Sequence, residues 1–141
     1  MNCNSNTAPL INNMNSSCNS GCAPKDINII CKEIIIPNGQ EVLGIQGENN
    51  SATRYFLVPK INENGDDLSD KDFSFIITKK DNSILIINVI DKKILDNYIK
   101  LKLIINKDIT EETGIIKLSI QATSEDYIWK TYSANFKIAV S

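Results

Sequence analysis

Hydrophobic and polar residues alternate along most of the chain after residue 25, which is typical of strands that bury one face. In the segment 73–79, Phe73, Phe75 and Ile77 fall on one face. The segment 99–105 alternates in the same way, with Lys100 and Lys102 on its polar face. By this pattern and its turns, strands are predicted over residues 27–36, 42–46, 54–60, 73–79, 84–90, 99–105, 116–123 and 132–140.

Turn sequences separate these segments at short, regular intervals. Pro37-Asn38-Gly39 ends the first apolar run, and Asp81-Asn82-Ser83 predicts a tight hairpin. Thr110–Thr113 predicts a single helical turn, and the segment 91–98 fits either a short helical stripe or a turn. Seven or eight strands with such spacing predict an all-β fold, an antiparallel β-sandwich of the Ig-like or Greek-key type.

Residues 1–25 differ in composition from the rest and predict an irregular N-terminal arm in front of a sandwich domain over residues 26–141. The arm is rich in Cys, Asn, Ser, Gly and Pro, and its short apolar group is Leu10 and Ile11. Such a segment buries too little apolar surface to offset its ordering entropy. We therefore expect a neighbouring subunit, a metal or a disulfide to order it, with Leu10 and Ile11 as partner contacts.

Length and charge narrow the class of function. The chain has 141 residues, which suits one domain, and its formal net charge of −2 argues against a nucleic-acid partner. No apolar run approaches the length of a membrane span, and the start lacks the basic and apolar regions of a secretory signal. We expect neither a membrane nor a nucleic acid among its partners.

Four cysteines, Cys3, Cys18, Cys22 and Cys31, leave three interpretations open. The Cys18 and Cys22 thiolates have the spacing of a zinc pair, which Cys3 and Cys31 would complete. A disulfide within the arm or to a neighbouring subunit is the second interpretation. The favoured one is free thiols in the arm and a small buried Cys31 in the first strand.

Catalytic chemistry has little support in the sequence. The chain has no histidine, which removes Ser-His-Asp and Cys-His nucleophilic pairs and the usual proton shuttle. The acidic segment 62–72 faintly resembles a calcium loop, but Gly65 has the wrong offset and the closing Glu is missing. We therefore predict a solvated loop there, no catalytic residue and no cofactor.

Tyr127 and Trp129 are the aromatic candidates for contact with a partner. A regular strand places them on the face opposite Tyr132. Trp is enriched at protein interfaces, so the core or a subunit contact is favoured over a sugar-stacking platform.

Several short motifs occur in a consistent order. They are Ile45-Gln46-Gly47-Glu48-Asn49-Asn50, the segment 54–60 (Arg-Tyr-Phe-Leu-Val-Pro-Lys), Gly65-Asp66-Asp67-Leu68-Ser69, Thr113-Gly114-Ile115-Ile116-Lys117 and the closing segment 129–140. With them the sequence resembles the N-terminal domain of phage baseplate upper proteins, over roughly residues 33–140.

The resemblance implies a β-sandwich that docks into a virion and performs no catalysis. In that family a downstream region carries receptor binding or multimerisation, whereas this chain stops at Ser141 and adds a Cys-bearing arm. We therefore expect a baseplate or tail accessory subunit of the virion, assembled in a bacterial cytoplasm and homo-oligomeric within the particle. A capsid-surface decoration protein is the alternative, and a cell-wall carbohydrate-binding module is a further one.

Overall fold

A computed structural model describes residues 25–141. This part of the chain consists of strands joined by short turns and contains one helix of four residues. The elements are β1 (Ile27–Ile30), β2 (Glu33–Ile35), β3 (Val42–Ile45), β4 (Ala52–Pro59), β5 (Asp72–Thr78), β6 (Ile84–Asn88), β7 (Lys92–Ile94), β8 (Tyr98–Ile105), α1 (Lys107–Thr110), β9 (Gly114–Ser124), β10 (Tyr127–Lys130) and β11 (Ala134–Ala139).

The strands form two sheets that enclose a common core. One sheet has five strands in the order β2-β1-β4-β8-β7, and the other has the order β3-β11-β9-β5-β6, with β10 also paired to β9. Placing β4, β8 and β7 in one sheet and β5, β9 and β11 in the other is the strand arrangement of immunoglobulin-like sandwiches. The predicted all-β sandwich is confirmed.

Two strand pairs depart from the expected antiparallel pattern. β1 runs parallel to β4, with Ile27 opposite Phe56, and β3 runs parallel to β11, with Gly44 opposite Ile138. β4 follows β1 after β2 and β3, whereas β11 is the last strand of the chain. The predicted count of seven or eight strands was also too low, since residues 25–141 form eleven. The strands of three or four residues are too short to show a clear alternation of hydrophobic and polar residues.

The predicted strand over 27–36 is in fact a hairpin. β1 and β2 pair antiparallel with Ile30 opposite Glu33, and the two residues between them form the turn. Cys31 and Lys32 have φ angles of 50° and 69°, as both central residues of a type I′ hairpin turn require. The prediction failed because neither residue belongs to the Asn and Gly set that usually marks this turn.

The core follows the alternation read from the sequence. Phe56 of β4 packs between Phe75 of β5 and Phe136 of β11, with ring centroids 5.0 Å and 6.4 Å apart. All three rings are fully buried. Burying a Phe or Ile side chain contributes about 1.5–3 kcal/mol, so these rows on both sheets hold the sandwich together.

Arg54 is a buried cation that lies among these apolar rows. Its Nη2 donates to the carbonyl oxygens of Gln40 and Val42 at 3.2 Å and 2.5 Å. Its Nη1 has no partner among the described residues, and burial lowers the pKa of this guanidinium. Arg54 thereby ties the start of β3 and the residues just before it to β4 of the opposite sheet.

The predicted helical turn at Thr110–Thr113 lies slightly earlier in the chain, as α1. The Asn106 side chain caps it by accepting from the amide of Ile109 at 3.1 Å. Within residues 25–141 no helix is long and apolar enough to cross a membrane.

Candidate functional site

Two surfaces of the sandwich carry features that relate to function: the loop end around Trp129 and the outer face of the six-stranded sheet. The loop end is organised by Asn62, which is buried in the β4–β5 loop. Its Oδ1 accepts from the amides of Asn64 and Asp66, both at 2.9 Å. Its Nδ2 donates to the hydroxyl of Tyr127 at 2.8 Å, so one amide side chain fixes the loop against β10.

Trp129 lies in the core at this end, with 3% of its surface exposed. Its indole Nε1 donates to Oε2 of Glu63 at 2.9 Å, and the same oxygen lies 3.8 Å from Nζ of Lys32. The predicted role of Trp129 as a partner contact is therefore wrong, because the molecule itself covers the ring. The core position, which was the other favoured interpretation, is what the structure has. A buried Trp129 ring cannot serve as a sugar-stacking platform either.

Tyr127 is half-buried, and its hydroxyl is engaged within the loop end. It donates to Oδ2 of Asp66 at 2.9 Å, and the ammonium of Lys71 lies 4.8 Å from the ring centroid. Burial, together with the hydrogen bond to Asp66, raises the pKa of this phenol. Tyr127 stays a predicted partner contact, and its side chain is partly exposed.

The acidic loop holds its carboxylates in turn contacts. Asp67 accepts through Oδ1 from both the amide and the hydroxyl of Ser69, and these bonds lower the pKa of the carboxyl. Asp66 is bound to Tyr127, as above. No cluster of three or more His, Cys, Asp or Glu residues that suits a metal ion occurs within residues 25–141.

Cys31 is exposed in the β1–β2 turn, so the expectation of a buried thiol inside the first strand is wrong. The hairpin reverses the chain at this position and turns the side chain to the surface. The other predicted residues lie outside the described part of the chain. They are the candidate ligands Cys3, Cys18 and Cys22 and the candidate contacts Leu10 and Ile11.

The second surface is the outer face of strands β6, β5 and β9. Cross-strand pairing fixes it as three rows, and we call these nine residues the isoleucine face. The rows are Ile84–Thr78–Lys117, Ile86–Ile76–Ser119 and Asn88–Ser74–Gln121.

Lys117, at one corner, is the single charged residue of the isoleucine face. Ile84 and Ile86 are 65% and 58% exposed, although they belong to a regular strand. Large, exposed aliphatic side chains on a nearly uncharged sheet face are typical of the centre of a protein interface.

Sequence reasoning placed a strand over 84–90 but missed this face. The signal lies in β6, where every position except Asn88 is Leu or Ile, so alternation cannot show which side is buried. A continuous apolar run usually means a strand covered on both faces. Here the described part of the chain covers only one of them.

The motifs behind the family resemblance are used for turn geometry. Gly47 and Asn50 have φ angles of 93° and 63°, which Gly and Asn adopt at the lowest cost. The side-chain carboxylate of Glu48 accepts from the amide of Ile45 at 2.7 Å. The backbone carbonyl of Glu48 accepts from the Thr110 hydroxyl at 2.6 Å. These contacts dock the turn onto α1 and account for the motif by structure alone.

No protein-family model matches the chain, and no curated protein is significantly similar to it.

Proposed function

We propose that this chain is a non-enzymatic structural subunit of a phage virion, and that it docks through the isoleucine face. The observation that carries the proposal is the pair of exposed isoleucines, Ile84 and Ile86, on a sheet face with one charge. Leaving such a surface in water forgoes about 25 cal/mol for each Å² that a partner would bury. A subunit of an assembly recovers this free energy when it docks.

The centre of the face is suited to close packing against another protein. Ile76 lies between Ile86 and Ser119, so the middle row has no charge and no flexible side chain to desolvate. Ser74 donates to Oδ1 of Asn88 at 2.9 Å, which satisfies part of the polar edge within the subunit. Interfaces combine such a charge-poor centre with a polar rim.

The resemblance to baseplate upper proteins favours a baseplate or tail location, with other virion proteins as partners. A capsid-surface decoration protein uses the same physical properties at a different place in the particle. The burial of Trp129 counts against the carbohydrate-binding module, because that alternative relied on exposed Trp129 and Tyr127 rings and only Tyr127 is still partly exposed.

The first test is the location of the chain in purified particles from its source, by mass spectrometry and cryo-electron microscopy. Density at the baseplate or tail supports the proposal, and density on the capsid surface supports the decoration role. Absence from every particle overturns both.

The second test asks whether the isoleucine face makes the contact. Particles are assembled with Ser119→Glu, which places a charge in the uncharged middle row of the face, or with Ser51→Glu as the matched control. Ser51 is exposed and precedes β4 in the other sheet. We expect Ser119→Glu alone to lose incorporation while the purified subunit keeps its melting temperature. Equal incorporation of both variants overturns the assignment of the face.

A further inference from the structure

β6 is an edge strand whose outer side presents unpaired backbone groups. Two hydrogen bonds set the phase of its ladder with β5: the amide of Lys79 to the carbonyl of Ser83, and the amide of Val89 to the carbonyl of Phe73. In an antiparallel ladder, hydrogen-bonded pairs alternate along the strands. The odd-numbered residues of β6 therefore face β5, and the N–H and C=O groups of Ile84, Ile86 and Asn88 point away from the sheet.

The other ends of the two strand orders carry features that block further pairing, and β10, which pairs with β9 outside those orders, contains Lys130. β7 is three residues long and contains Lys92 and Lys93. β2 is equally short and contains Glu33.

The fourth edge, β3, is blocked by side chains of the same molecule. Glu48 binds the amide of Ile45, and Arg54 binds the carbonyl of Val42. These are the usual devices by which proteins prevent sheet extension.

β6 has none of these devices within the described part of the chain. Its five residues include no charge and no proline, and its pairing with β5 is regular over all five positions. No side chain of residues 25–141 binds the outward N–H or C=O groups of Ile84, Ile86 or Asn88. A regular, apolar and unprotected edge is a template for another strand.

We propose that β6 pairs antiparallel with β6 of a second copy of this chain, about a two-fold axis at Ile86. This register places Ile86 opposite Ile86 of the second copy, and Ile84 opposite its Asn88. Each outward N–H and C=O then meets a partner, for up to about six hydrogen bonds between the two chains.

The charge pattern favours a second copy as the occupant. An isologous pair places a surface against itself, which like charges would oppose, and β6 has none. At each end of the pair, the turn with Lys80 and Asp81 of one copy approaches Asp91 and Lys92 of the other. In this register the nearest residues carry like charges, Asp81 by Asp91 and Lys80 by Lys92, but each end is neutral overall, so net charge at the ends does not oppose the pairing.

The pairing also extends the isoleucine face. Two six-stranded sheets joined at β6 form one continuous sheet. The middle row of each copy, which contains Ile86 and Ile76, then continues across the axis into the middle row of the other copy. The pairing is a property of the chain in solution, so it stands or fails independently of any place in a virion.

The test combines sedimentation equilibrium of the full chain with amide hydrogen exchange followed by NMR. Concentrations run from about 1 µM to about 1 mM, because a small interface binds weakly. We expect a monomer–dimer equilibrium, with the amides of Ile84, Ile86 and Asn88 gaining protection as the dimer forms. The amides of Leu85 and Ile87, which bind β5, should be protected at every concentration.

Two variants separate strand pairing from general association. Ile86→Pro removes an outward N–H and leaves the bonds to β5 in place, and proline is tolerated at a sheet edge. Ile86→Lys adds the charge that edge strands normally carry. We expect both to weaken dimerisation by about tenfold or more, while Ile128→Lys, at a site 68% exposed on β10, leaves it unchanged.

Four outcomes overturn the proposal. The chain stays monomeric at all concentrations, or it dimerises without protection of the Ile84, Ile86 and Asn88 amides. Those amides are protected in the monomer, which would mean that another segment of the same chain covers β6. Or Ile128→Lys weakens the dimer as much as the two β6 variants do.

Discussion

The indole N–H of Trp129 donates to the carboxylate of Glu63 at 2.9 Å, which ties the β9–β10 hairpin to the β4–β5 loop. The same carboxylate lies 3.8 Å from Lys32 in the β1–β2 turn. Three segments that are far apart in sequence therefore meet at one polar group above a buried ring. This end of the sandwich is closed by its own side chains, whereas the isoleucine face is open.

Replacing Trp129 with alanine should destabilise the domain severely. The ring is 3% exposed, and removal of a buried Trp leaves a cavity that costs about 3–5 kcal/mol. The free energy of unfolding from urea denaturation measures the loss. Ile128→Ala is the control, because Ile128 is next to Trp129 in sequence but its side chain is 68% exposed. This substitution should change the free energy of unfolding by less than about 0.5 kcal/mol. Equal effects of the two variants would contradict the core assignment.

Asn62→Ala should loosen the β4–β5 loop. The substitution leaves the amides of Asn64 and Asp66 without their shared acceptor and the Tyr127 hydroxyl without a donor. These hydrogen bonds are part-buried, and a typical intramolecular hydrogen bond contributes about 0.5–1.5 kcal/mol to stability. We expect a lower free energy of unfolding and faster cleavage of the loop in limited proteolysis.

Asn64→Ala serves as the control for that experiment, because the Asn64 side chain is exposed and the loop contact uses its backbone amide. If Asn62→Ala behaved like Asn64→Ala, the loop would owe its shape to the backbone bonds alone.

Alternation predicted the strands that have one polar and one apolar face. Phe73, Phe75 and Ile77 are buried together, as are Ile116, Leu118 and Ile120 on the paired strand. In these segments the burial of one face determines the strand and its register, so the local sequence pattern is enough to predict which side chains lie in the core.

Pattern reasoning failed where partners come from distant parts of the chain. The residues around Ile27 do not indicate that β1 pairs in parallel with β4. The residues around Gly44 likewise do not indicate that β3 pairs in parallel with β11. The contact between Trp129 and Glu63 spans the β4–β5 loop and β10, and the strand pattern around Trp129 fits the core and an interface equally well. The isoleucine face was hidden because a wholly apolar β6 has no polar side to read.

Ser69→Ala should raise the pKa of Asp67. In the folded domain the amide and hydroxyl of Ser69 both donate to this carboxylate and hold its pKa below the ordinary value. A folded pKa below the unfolded one adds stability at pH values above the unfolded pKa. That contribution is lost as the pH falls through the folded pKa. Removing the hydroxyl therefore shifts the loss to higher pH, as an NMR titration of the side-chain carboxyl would show.

The β5–β6 turn provides the matched control for that titration. Asp81 accepts from the amide and hydroxyl of Ser83 in the same way, and its pKa is also lowered. Ser83→Ala should shift Asp81 and leave Asp67 unchanged. Movement of both carboxyls in either variant would point to a change of fold rather than to a local bond.

The double substitution Cys31→Asn and Lys32→Gly should stabilise the domain. Both residues have positive φ angles, a conformation that costs a residue with a Cβ about 1–2 kcal/mol. Asn-Gly is the sequence that a type I′ turn prefers, so it relieves this strain while Ile30 and Glu33 keep their pairing. We expect the free energy of unfolding to rise by about 1–2 kcal/mol, measured by urea denaturation under reducing conditions.

Asn82→Gly is the control, because Asn82 has a φ angle of 71° and Asn already tolerates this region, so its gain should be smaller. A loss of stability in the double variant would instead show that the Cys31 or Lys32 side chain makes a contact worth more than the backbone strain, with the approach of Lys32 to Glu63 as the first to examine.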